Sequence, residues 1–250
     1  MRARRSSIGF VLAVGLGASA SLEAQRGTLG LSVEDRGHVT PIARLVNGQW
    51  VGAEACASSD RDTTSPSSNE HLVVTGDMPV QAVRAVGPGT DEWVRLAPTI
   101  LTLFERREQE QRLVTDRTVG SPRVVDWIYA TDGDAPTYYF EASRRVASAS
   151  GDVDADTDPP GTVRVAVAGF LRDGREGLTS FGTKSELRWE QDGLPAGPSR
   201  ADLTPLGVLP FGDRTVWVMK GQSGASTWFS LYELAAGRTR TVLTTRLGRC

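Results

Sequence analysis

Residues 162–171 read TVRVAVAGFL, with Val163, Val165 and Val167 on one side of the chain and Arg164, Ala166 and Ala168 on the other. An apolar–polar period of two is the pattern of a strand with one face in a core, and it cannot be laid along one side of a helix. The pattern returns at 239–247 (TRTVLTTRL), where Arg240, Val242, Thr244 and Arg246 alternate with Thr241, Leu243, Thr245 and Leu247. Residues 181–190, 203–209, 215–220 and 227–234 are further strand-like stretches, separated by Gly, Pro and Asp clusters. With 27 glycines, 13 prolines and frequent Thr and Val, the composition is turn-rich and strand-favouring. The sequence therefore predicts an all-β fold of on the order of 12 to 16 short antiparallel strands, as a sandwich, a barrel or a small irregular propeller. Little or no helix is expected after the N-terminal segment.

Turn chemistry sharpens this picture. Asn47-Gly48 stands between two apolar stretches and predicts a hairpin, because both residues tolerate positive φ. Asp132-Gly133 predicts a second hairpin, between 123–130 and 137–143. Residues 71–86 suggest two short strands about Gly76-Asp77. At 99–114 (TILTLFERREQEQRLV) the apolar residues sit at the two ends and the middle is wholly polar, so two strands joined by a charged turn are expected there. Residues 56–70 read as a solvated loop and 147–161 as a polar break. Residues 25–250 then form one all-β domain, with a possible division into two lobes near 147–161. The six tryptophans, at 50, 93, 127, 189, 217 and 228, recur at no constant interval, so no repeat supports a propeller.

Residues 1–24 combine a basic start (Met1-Arg2-Ala3-Arg4-Arg5), an apolar run at 8–20 and small residues where a signal peptidase cuts. An apolar run of about 13 residues is shorter than the ~20 needed to span a bilayer. A cleaved signal peptide ending at Ala24 is expected, with Ala20 as the competing cut, which places the mature chain in the periplasm or outside the cell. Cleavage would remove three arginines and one glutamate, leaving 25 basic and 29 acidic side chains. Such a mildly acidic chain argues against a nucleic-acid partner, whose phosphates need a clustered basic face. No later segment is long and apolar enough for a membrane span. The two cysteines, Cys56 and Cys250, are expected to pair in an oxidising compartment. In the chain-entropy view so long a loop corresponds to roughly 5 kcal/mol at most.

Motifs for chemistry are sparse. Gly221-Gln222-Ser223-Gly224-Ala225 approaches the nucleophile elbow, but a strand rather than a helix is expected after it, so Ser223 reads as a hairpin residue. His38 and His71 are the only histidines, which leaves little for a Ser or Cys nucleophile and excludes a three-histidine zinc site. Asp152, Asp154 and Asp156 alternate as calcium ligands do, yet Thr157 and Val163 stand where an EF-hand needs Gly and Glu. They are read as a solvated acidic linker. The aromatic segments 126–129, 138–140 and 227–229 could line a carbohydrate or peptide groove, and otherwise supply sheet core. The sequence nominates no catalytic residue, no cofactor and no metal. It favours a non-catalytic binding or structural module of the cell envelope, with an unidentified envelope ligand or protein as partner. The alternative is a secreted hydrolase working through carboxylates that no local motif singles out.

Overall fold

Asn47 (φ 51°) and Gly48 (φ 75°) make the turn that the sequence predicts. They join β2 (Val39–Val46) to β3 (Gln49–Gly52), with Val46 opposite Gln49. In the computed structural model, which describes residues 27–33, 39–53, 56–57, 70–76, 78–111, 119–147, 162–191, 194–195, 203–223, 226–246 and 248–249, this hairpin belongs to the first of three antiparallel sheets. β1 (Gly27–Val33) pairs with β2 on one side and with β5 (Glu70–Gly76) on the other. The two-residue β4 (Cys56–Ala57) lies apart from this sheet.

The second sheet begins with β6 (Val83–Ala85), so the strands expected about Gly76-Asp77 form but enter different sheets. After α1 (Asp91–Gln111) come the short β7 (Val119–Gly120), then β8 (Val124–Thr131), β9 (Thr137–Ala147), β10 (Thr162–Gly174), β11 (Gly177–Gln191) and β12 (Leu194–Pro195). Their order is β12-β11-β10-β9-β8-β6, with β7 also on β9. Gly133, at φ 116°, turns the β8–β9 hairpin. Ala147 pairs with Thr162, so the strands on either side of the polar break are neighbours in one sheet. The third sheet is a meander of β13 (Thr204–Phe211), β14 (Arg214–Ser223), β15 (Ser226–Ala235) and β16 (Arg238–Arg246). Finally, β17 (Gly248–Arg249) pairs with β4 in parallel, setting Gly248 beside Cys56 along the backbone.

Strand alternation stacks these elements in layers. On β14, Val216 and Val218 face the first sheet, meeting Leu29 and Ile42, whereas Trp217 and Met219 face the second, meeting Tyr139 and Phe170. The inner strands of the third sheet are therefore buried on both faces, which is why β14 reads as an apolar run rather than an alternation. On β9 and β10 the second sheet turns Phe140, Val165 and Val167 towards α1, and Tyr139 and Phe170 towards the third sheet. The order of layers is first sheet, third sheet, second sheet, helix. The all-β class holds, and the arrangement is one of packed sheets, with seventeen strands among the described residues.

The helix corrects the sequence expectation over 99–114, where two strands and a charged turn were predicted and little or no helix was foreseen. Residues 91–111 are helical, and 112–118 lie outside the described residues. The helix starts earlier than that window: the Thr90 hydroxyl accepts from the Trp93 N–H at 3.2 Å as an N-cap, and Asp91 and Glu92 place negative charge in the first turn. Its buried row is Leu96, Ile100, Phe104 and Glu108, at a spacing of four. A charged residue completes that row, which hid the helical period.

Candidate functional site

Three arrangements of side chains bear on function. The first surrounds the start of α1. Arg84 on β6 grips Glu92 with both terminal nitrogens, at 2.8 and 3.0 Å, and its Nε reaches Asp132 at 3.2 Å. Arg95 donates to the Tyr138 hydroxyl at 3.2 Å and pairs with Asp173 at 2.8 Å. This chain of contacts fastens the helix start to β6, β9 and β10. The Arg84 fork, with help from Tyr138 and despite partial burial, holds the Glu92 carboxyl below its ordinary value of 4.5. Burial first, then the neighbouring Glu92, pushes the Tyr138 phenol above its ordinary 10.0. A carboxyl depressed in this way contributes stability above its unfolded value and loses that contribution as pH falls through the folded one. Glu92→Gln is therefore expected to lower the urea midpoint at neutral pH, with the deficit closing below about pH 4.5. A deficit that stayed constant through the acid range would show that the fork is not responsible.

A second node lies near the end of α1. Glu108, only 5% exposed, receives Arg123 at 2.9 Å, while Arg144 Nη2 stands 2.5 Å from its other oxygen as an ion pair lacking the alignment of a hydrogen bond. Elsewhere Asp126 pairs with Arg164 at 3.1 Å, and Glu233 with Arg240 at 2.9 Å. Among the described residues, Glu92, Glu108, Asp126, Asp173 and Glu233, five carboxylates of low exposure, are thus each held by a guanidinium, whereas the half-buried Glu141 accepts from the Tyr139 hydroxyl. A general acid needs a raised pKa and reach to a substrate, and these five are arranged instead as structural counter-charges.

The third arrangement is a cavity of about 120 Å³ between the second and third sheets. Its walls include Tyr139, Phe170, Phe181 and Tyr232, from β9, β10, β11 and β15. Phe170 is their centre: its ring lies 5.3 Å from Tyr139, 5.7 Å from Tyr232 and 5.6 Å from Trp217 beneath. Separations of this kind are those of tilted aromatic packing. Tyr129 continues the series at 6.4 Å from Tyr139, and Trp127, 53% exposed, follows it along β8. The Tyr139 hydroxyl donates to Glu141 at 2.5 Å, fixing that wall. Two glycines let β10 and β11 close behind the site. A Cβ on Gly169 would lie 2.7 Å from the Gly182 carbonyl oxygen and 2.9 Å from the Phe140 ring, and Gly182 itself has φ 110°.

Lys184 stands at the rim. It pairs with Ala168 across β10 and β11, and its ammonium lies 5.2 Å from the Tyr232 ring and donates to the Thr241 hydroxyl at 3.5 Å. Arg172 similarly covers Phe181 at 5.0 Å. Cations over aromatic faces are attracted by the ring quadrupole.

The residues singled out in the sequence fare unevenly. Tyr138 and Phe140 are core beneath α1, Phe229 is core between the first and third sheets, and Tyr139 lines the cleft, with Tyr129 and Trp127 following it on the same sheet face. Ser223 pairs with Ser226 in the β14–β15 hairpin, the setting expected of it, and its side chain is outside the described residues. So are the side chains of His71 and Cys56, and the whole of His38, Cys250, residues 1–24, where a signal peptide was expected, and the Asp152, Asp154 and Asp156 run. No group of three or more metal-ligating side chains occurs among the described residues, and no helix among them is long and apolar enough to cross a membrane. The rim and walls escaped the sequence because Phe170, Phe181, Lys184 and Tyr232 lie on three strands with no shared motif. The chain matches no protein-family model, no curated protein and no solved structure.

Proposed function

We propose that this protein is a non-catalytic binding module whose ligand site is the aromatic cleft between the second and third sheets. The observation that carries this is the set of four rings, Tyr139, Phe170, Phe181 and Tyr232, gathered from separate strands around an opening. An apolar concave site with a few placed polar groups is what small-ligand recognition uses. The alternative, a hydrolase, has less support because five of the carboxylates of low exposure among the described residues are taken up by arginines. A neutral probe, phenylbutanol at tenfold its Kd, should stabilise the protein by about 1.4 kcal/mol through mass action, or about 3–5 °C in melting temperature for a chain of this size. Ala168→Leu, which puts bulk on the cleft face, should abolish the shift. An equal shift in that variant would place binding elsewhere, and no shift in the parent would remove the proposal.

Export belongs to the same proposal: residues 1–24 direct the chain to the periplasm or the exterior, where Cys56 and Cys250 would meet oxidising conditions. Mass spectrometry of the native protein should find a chain that begins at Gln25. An N-terminus retaining Met1 would contradict this.

A further inference from the structure

We infer that the ligand of the cleft is an uncharged molecule bearing a single aromatic ring, with that ring seated among Phe170, Phe181 and Tyr232. This rests on the cleft being the ligand site and goes on to name the class of ligand.

A break in strand register shapes the seat. Gly169 pairs with Thr183 and Leu171 with Ser180, so Phe170 alone on β10 stands opposite both Phe181 and Gly182 on β11. A bulge of this kind re-aims a side chain and is a recurrent device beside binding sites. Here the second of the two residues is Gly182, at φ 110°, a conformation that other residues rarely adopt. Phe181 joins Phe170 on the cleft side, and Gly169 and Gly182 line the cleft with backbone alone. Glycine allows a ligand to approach the main chain closely, so a flat group can lie there.

Size and wall chemistry set the next limit. An engineered apolar cavity of about 150 Å³ takes up benzene, so about 120 Å³ with an open side has room for one ring and not for a long acyl chain or an oligosaccharide. Four rings from four strands contribute to the walls, and Phe170 already meets Tyr139 and Tyr232 in tilted contacts. Rings gain from edge and face contacts with one another beyond the burial of area, which a saturated ring of the same size does not.

Charge sets the last limit. Ala168 has Glu141 opposite it on β9 and Lys184 opposite it on β11, so the rim carries a charge of each sign. Both are already engaged. Glu141 accepts the Tyr139 hydroxyl at 2.5 Å, and the Lys184 ammonium lies 5.2 Å from the Tyr232 ring and donates to the Thr241 hydroxyl at 3.5 Å. Opposite charges on the two sides of one residue favour neither an anion nor a cation at the opening. An ionised head group would lose water against the aromatic walls without a new partner to replace it.

Titration calorimetry of the purified protein at neutral pH with phenylbutanol, cyclohexylbutanol, phenylbutyrate and phenylbutylamine tests the inference. Phenylbutanol should bind about fivefold more tightly than cyclohexylbutanol, and about tenfold more tightly than either ion. Phe181→Leu, which keeps apolar bulk and removes one ring, should bring phenylbutanol down to the affinity of cyclohexylbutanol; an unchanged affinity in the folded variant would overturn the placement of the ring. Cyclohexylbutanol binding as tightly as phenylbutanol in the parent would overturn the choice of an aromatic ring while leaving the cleft as ligand site. An acid or an amine binding as tightly as the alcohol, or more tightly, would overturn the choice of an uncharged ligand. Absence of binding by all four would overturn both the inference and the proposed site.

Discussion

Trp217→Ala is expected to cost about 3–5 kcal/mol, a large part of the ~5–15 kcal/mol that holds a typical domain folded. Trp217 is fully buried and sits where the doubly covered third sheet meets the second. Its ring supports Phe170, and through Phe170 the floor of the cleft. Truncation removes the largest side chain of that layer and leaves a cavity that two sheets, each fixed by its own ladder, cannot close. The indole adds a finer prediction. Its N–H is buried and finds no acceptor among the described residues, and an unsatisfied buried donor costs roughly 1–3 kcal/mol. Trp217→Phe deletes that donor and keeps an aromatic ring against Phe170, so it should cost far less than the alanine variant. Urea midpoints of the two variants check the pair of expectations. A phenylalanine variant as unstable as the alanine one would show that the N–H is satisfied, and an alanine cost below about 1 kcal/mol would mean the layers can collapse together.

The second large effect is expected at Glu108. Removing one member of a buried charge cluster strands the others, and this commonly costs about 3–5 kcal/mol. Glu108→Ala leaves Arg144, 15% exposed, and Arg123, 31% exposed, without the carboxylate they share. Because Arg123 keeps contact with water, a value near the low end, about 3 kcal/mol, is expected. Replacing both ends of the tighter pair, as Glu108→Leu with Arg144→Met, restores an apolar row below α1 and should recover most of that loss. Equilibrium unfolding of Glu108→Leu, Arg144→Met and their double variant gives the coupling directly. Additive costs would show that the two groups do not interact.

The same glutamate explains what the sequence could and could not reveal. Asn47-Gly48 and Asp132-Gly133 announce their hairpins because turn geometry is local, and Val165 and Val167 announce the buried face of β10 because that strand is covered more heavily on one side. α1 stayed hidden because Glu108 interrupts its apolar row, and the reason it can be buried lies on β9 and just before β8, where Arg144 and Arg123 stand. No window around residue 108 contains those partners. The cleft was hidden for a related reason. Tyr139, Phe170, Phe181 and Tyr232 occur in runs that also serve the core, and only the packing of the third sheet on the second decides which rings line an opening. Lys184 carries no distinguishing neighbours in sequence, and its role comes from Tyr232 and Thr241 across the gap.

The most direct test of the cleft as ligand site is an amide chemical-shift titration of the purified protein with phenylbutanol. Perturbations centred on Ala168, Gly169, Gly182 and Thr183, which line the cleft along β10 and β11, are the expected result. Saturable perturbations confined to the outer face of the first sheet or to α1, with the amides of β10 and β11 unmoved, would contradict it.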